Sequence, residues 1–117
     1  MAITTSEKNL LLDKLAIACN RATHLHALCS RLGKVEQAAA AARRRERLRL
    51  EMDILIRDYY GQWQGEAKEL RQTLDAANKT LDGYLHDIER MVQVSENLAK
   101  AAVVLDGTIA LAARLAG

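Results

Sequence analysis

The apolar positions of the chain recur at alternating intervals of three and four residues almost from end to end. In the first segment Leu11, Leu15, Ala18, Ala22, Leu25, Cys29 and Leu32 follow the spacing 4-3-4-3-4-3. Such a run describes one seam of a packed helix rather than a scattered apolar face. Ahead of it, Thr4-x-x-Glu7 predicts a capping box, in which the threonine hydroxyl and the glutamate carboxylate each accept from a backbone amide of the first turn. Gly33 is the natural left-handed residue to end the helix. The first helix is therefore expected over 6–32.

The second segment, 34–60, opens with Val35 and the run Ala38 to Ala42. Leu48, Met52, Leu55 and Tyr59 then continue at 4-3-4, and Ile56 widens the stripe. Folding back at Gly33 sets Leu25 near Ala41, Ala18 near Leu48, Leu15 near Met52 and Leu11 near Leu55. Large residues then oppose small ones, as interdigitated cores require. Arg45 faces Ala22 and must lay its stem over it. The result is an antiparallel hairpin about 40 Å long.

Gly61-Gln62-Trp63-Gln64-Gly65 marks the next turn. Beyond it the alternation holds from Ala67 through Leu70, Leu74, Ala77, Leu81, Tyr84, Ile88, Met91, Ser95, Leu98, Ala102, Leu105 and Ile109 to Ala112. Gly83 and Gly107 lie inside this run, and each costs about 1 kcal/mol relative to Ala in a helix interior. Two architectures follow. In one, a third helix spans 66–116, roughly 75 Å at 1.5 Å per residue, and its overhang is buried by a second copy. In the other, Gly83 or Gly107 breaks it and the chain closes on itself as a four-helix bundle. Unbroken phase favours the first; ordinary helix lengths favour the second. Either way the fold is all-α and coiled-coil-like, one helical domain over 1–117.

Composition agrees with helices. The chain of 117 residues holds 20 Ala and 18 Leu, no Pro, no Phe and few β-branched residues, so a sandwich or barrel is excluded in favour of close helix packing. Net charge is +2, divided as +4 over residues 1–60 and −2 over 61–117. That imbalance is too small to demand nucleic acid or anionic lipid. Met1 to Glu7 reads as neither a signal peptide nor, with Ala2, a myristoylation site. Lys100, Asp106 and Arg114 interrupt the most apolar stretch, so no membrane insertion is expected. Cys19 and Cys29 fall about 15 Å apart along one helix, too far for a disulfide. Reduced thiols in a cytoplasmic protein are the reading.

Candidate chemistry is sparse. Arg43-Arg44-Arg45-Glu46-Arg47-Leu48-Arg49 puts arginines all around a helix, a collar paired to nearby Glu46, Glu51 and Asp53 and to acidic neighbours such as Asp82, Asp87 and Glu89. As phosphate contacts, Arg43, Arg44 and Arg47 support the alternative reading, a nucleic-acid-binding helical dimer with steep salt dependence. Tyr59, Tyr60 and Trp63 crowd the end of the hairpin, where they either plug the bundle or anchor a partner; Tyr60 is off the stripe and is the ring expected in solvent. His26-x-x-Cys29 has ligand spacing, but no second pair completes a zinc site. His86-x-x-Glu89 reverses the di-iron order and occurs once. Without a phosphate loop, a nucleophile elbow or a zinc-protease motif, neither an enzyme nor a cofactor is expected. The C-terminal helix, apolar nearly all round, assigns Leu98, Ala102, Leu105, Ile109 and Ala112 to self-association. The functional expectation is a non-enzymatic interaction module of adaptor, accessory or inhibitor type, acting as a homodimer and on another protein.

Overall fold

A computed structural model describes residues 2–117. They form four helices, α1 (Thr5–Arg31), α2 (Val35–Arg57), α3 (Ala67–Glu89) and α4 (Val94–Ala116), in a bundle of 45 × 22 × 17 Å. The capping box opens α1: the Glu7 amide donates to the Thr4 hydroxyl at 3.2 Å, and the Thr4 amide donates to the Glu7 carboxylate at 2.8 Å. The seam read from the spacing is the buried face of α1, with Leu11, Leu15, Ala18, Ala22, Leu25 and Cys29 all inside. The return of α2 places Leu25 with Ala41 in one core cluster, and Leu11, Ala18, Leu48 and Leu55 in the other. Val35 and Ile56, expected on the stripe, stand in solvent instead.

The third segment is not one long helix. It ends at Glu89, and Arg90 to Gln93 reverse the chain, so the 75 Å helix is excluded and a four-helix bundle forms. Neither glycine makes that turn. Gly83 stays inside α3 and Gly107 inside α4, both exposed. The alternation crosses the reversal in number only, since Met91 and Ser95, which carry its phase, are exposed. Burial also selects a neighbouring line on each helix. The inner face of α3 is Leu74, Asn78, Leu81, Leu85 and Ile88, and that of α4 is Asn97, Leu98, Ala101, Leu105, Thr108, Leu111, Ala112 and Leu115. Ala77, Tyr84, Ala102 and Ile109 are left half-buried at the edges.

The order of packing sets the topology. α1 lies against α2 and α3, α4 lies against α2 and α3, and α2 and α3 occupy opposite corners. Helices therefore run up, down, up, down, yet the connection from α2 to α3 crosses the end of the bundle diagonally. This makes α1 and α3 parallel neighbours, and likewise α2 and α4. Parallel neighbours align their macrodipoles unfavourably. Among the described residues every ion pair between helices bridges one of these two interfaces: Lys14–Asp75, Arg21–Asp82 and His24–Glu89 on one, Arg44–Asp106 on the other.

Candidate interaction surface

The diagonal connection explains most of the aromatic cluster. Trp63 drops from it into the end of the core, 3% exposed, and its indole N–H donates to Asp58 O at 3.0 Å. Half-buried Tyr59 donates its hydroxyl to Asn9 Oδ1 at 2.7 Å. Lys8, buried although charged, donates from Nζ to the carbonyls of Tyr59 and Gly61, both at 2.6 Å, and lies 5.3 Å from the Trp63 ring centroid. The Gln64 amide ties the loop to Leu115 O at 2.8 Å. Tyr60 alone faces outward, 95% exposed, edge-on to Tyr59. Of the three rings, two close the bundle and one reaches solvent. Lys8 was invisible in the sequence, because nothing local distinguishes it from a surface lysine.

The residues assigned to self-association divide in the same way. Leu98, Leu105 and Ala112 are spent in the chain's own core, while Ala102 and Ile109 are half-buried on the side of α4 facing α2. The physical reason is the turn at Arg90–Gln93, which folds α4 back onto its own bundle rather than leaving it to overhang. What α4 offers outward is a different line: Glu96, Ala99, Lys100, Val103, Gly107, Ala110. Val103 is 70% exposed.

Grooves flank this ridge on both sides. Toward α3, about 310 Å³ opens between Ala77, Thr80, Val104, Gly107 and Leu111, continued by a smaller hollow beside Tyr84 and Val103. Toward α2, about 670 Å³ opens over Ala40, Leu50, Ile109, Ala110 and Ala113. Arg43, Arg44 and Arg47 all border this second groove. Two of them are engaged, Arg44 with Asp106 at 2.9 and 3.3 Å and Arg47 with Glu51 at 3.4 Å. Of the acids expected as partners, Glu51 takes Arg47, whereas Asp82 and Glu89 pair with α1, because α3 is diagonal to α2. Arg43, Arg44 and Arg47 thus share one groove, which Arg45 and Arg49 do not line.

Of the histidines and cysteines considered as ligands, His24, His26 and Cys19 have partners within the bundle. His26 Nδ1 donates to Ala38 O at 2.8 Å, and His24 pairs with Glu89. Burial pushes the Cys29 thiol above its ordinary range, and it does the same at Cys19 against the opposing pull of Arg49 and Arg45. Cys19 rests 3.5 Å from Met52 Sδ. Among the described residues no three His, Cys, Asp or Glu side chains gather as a metal-binding group. No helix among them is long and apolar enough to cross a membrane. The fold and this surface define an all-helical bundle in which α4 presents a ridge of mixed apolar and charged residues between two grooves. The chain matches no family model, no curated protein and no solved structure.

Proposed function

We propose that this protein is a non-enzymatic, helix-binding interaction module of a reducing, cytoplasmic compartment, with α4 and its grooves as the contact face. The observation that carries this reading is the outer side of α4. After its inner line has filled the core, Ala99, Val103 and Ala110 still face outward between two grooves floored by apolar side chains. Apolar side chains left in solvent beside apolar-floored grooves are what a packing helix covers. The groove beside α2 suits an amphipathic helix whose apolar side is flanked by carboxylates, since Arg43, Arg44 and Arg47 line its edge. A nucleic-acid backbone is the poorer occupant, because two of those arginines already hold internal carboxylates and the floor between them is apolar.

A photo-crosslinking residue at position 50 tests this in cells. It is expected to give a discrete heavier adduct with another protein, lost on Ile109→Asp, while the same residue at position 17 on α1 gives none. Equal labelling from both positions would count against the assigned face.

A further inference from the structure

We infer that the partner helix anchors one bulky apolar side chain in the hollow between α1, α2 and α4, with a carboxylate two turns away on Arg43 and Arg47; this rests on the binding reading and specifies its partner. The hollow comes from small residues on two parallel neighbours. Ala40 and Ala41 of α2 and Ala99 and Ala102 of α4 wall it with methyl groups, and about 180 Å³ is left open above Leu25 and Cys29 of α1. A void of about 150 Å³ accommodates a benzene ring, so this one takes a single phenylalanine or leucine side chain. Its mouth is uncovered, with Ala99 exposed and Ala40 half-buried. Ala40 and Arg44 border both this hollow and the larger groove over Leu50 and Ala110, so the two form one track along the α2–α4 face.

The track is ordered along its length. Ala40 to Leu50 is about 15 Å of α2, and Ala99 to Ala110 about 16 Å of α4, by helical rise. Between these apolar ends lies a charged rim. There Arg43, Arg44 and Arg47 stand against Glu46 and Asp106, which leaves it net positive. Arg43 forms no ion pair among the described residues, and Arg47 holds Glu51 at 3.4 Å with its own side chain 65% exposed. Electrostatic complementarity places a partner's carboxylate there. Because α2 and α4 run parallel, their macrodipoles favour a third helix antiparallel to both. From its own N-terminus, that helix presents an apolar residue over Leu50 and Ala110, an acid four positions later, and the bulky anchor seven positions after the acid. Spacings of four and seven keep all three on one face.

The probe is a fluorescein-labelled helical peptide of alanine and glutamine carrying Leu, Glu and Phe at those spacings, titrated with the full chain and followed by anisotropy. It is expected to bind at micromolar concentrations. Replacing its Phe by Ala should weaken binding roughly tenfold or more. Ala99→Leu, which fills the hollow from the protein side, should do the same with helicity unchanged. Arg43→Glu/Arg47→Glu should weaken it too, and a peptide with Lys in place of Glu should recover part of that loss. Thr80→Leu, in the groove toward α3, should change nothing. No binding at millimolar peptide overturns the proposal, as does binding indifferent to Ala99→Leu or to the charge reversal. If indole raises the melting temperature of wild type but not of Ala99→Leu, and the peptide does not bind, the hollow belongs to a small molecule and the helix is overturned. If the peptide fails while position 50 still gives its adduct in cells, only the anchor is refuted. Failure of both refutes the binding reading as well.

Discussion

Met91, at the end of α3, occupies the same backbone position as Gly33 at the end of α1. Gly33 has φ 71° and Met91 φ 61°. At the first turn the Lys34 amide donates to Cys29 O at 2.9 Å and the Gly33 amide to Ser30 O at 3.1 Å; at the second, Val92 donates to Asp87 O at 2.8 Å and Met91 to Ile88 O at 3.0 Å. Both are Schellman turns. They differ in that the second has a side chain at this left-handed residue and adds another left-handed residue, Gln93, at φ 42°.

Met91→Gly should therefore stabilise the protein. Relief of the left-handed strain, less the greater chain entropy of glycine when unfolded, leaves roughly 0.5–1 kcal/mol. Gly33→Ala should cost about 1 kcal/mol for the mirror-image reason. Urea denaturation of the two variants against wild type checks both signs; a destabilising Met91→Gly would show that the Met91 side chain is worth more than its strain.

Lys8→Met keeps the stem and removes the donor. The carbonyls of Tyr59 and Gly61 lose a partner in a part-buried site, a loss of about 1–3 kcal/mol. The lone tryptophan reports on it directly, because Trp63 lies under the same ammonium. Its emission should move to longer wavelength as the crossing loop loosens. Unchanged emission and stability would mean that water replaces the ammonium without cost.

The Thr4 contacts hold the Glu7 carboxyl below its ordinary value of 4.5. A depressed carboxylate contributes stability that is complete above the unfolded value and is lost as pH falls through the folded one. The stability difference between wild type and Glu7→Gln should thus be constant above about pH 5.5 and shrink below pH 4.5, as linkage requires. A difference that persists unchanged at pH 3 would place its origin outside this carboxylate.

Thiol reactivity follows burial. Both cysteines are raised by desolvation, and Cys29 is the more enclosed at 1% exposure. With little thiolate at neutral pH, alkylation at pH 7.5 should be slow at Cys19 and slower at Cys29, both far below a free thiol. Denaturant should release them together. Rapid labelling of Cys29 in the native protein would reveal opening of the cluster around it.

Local chemistry alone settled a good part of this molecule. The capping box at Thr4 and Glu7, the seam of α1, the turn at Gly33 and the α1–α2 pairing were all legible, because each rests on residues a few positions apart or on two stripes joined by a short turn. The tertiary structure decided the rest. The turn at Arg90–Gln93 carries no glycine at either of its left-handed residues, Met91 and Gln93, so it gives no local signal, while Gly83 and Gly107 give a signal with no turn behind it. Only the packing of α3 and α4 against α1 and α2 compensates for the strain at Met91. The same packing chose which apolar line of α4 would fill the core, and so which would face outward. The diagonal crossing is tied by Lys8 meeting Tyr59 and Gly61, more than fifty positions away, and the α2–α4 interface by Arg44 meeting Asp106. Contacts at that range depend on how whole helices fit, and spacing along one helix does not encode them.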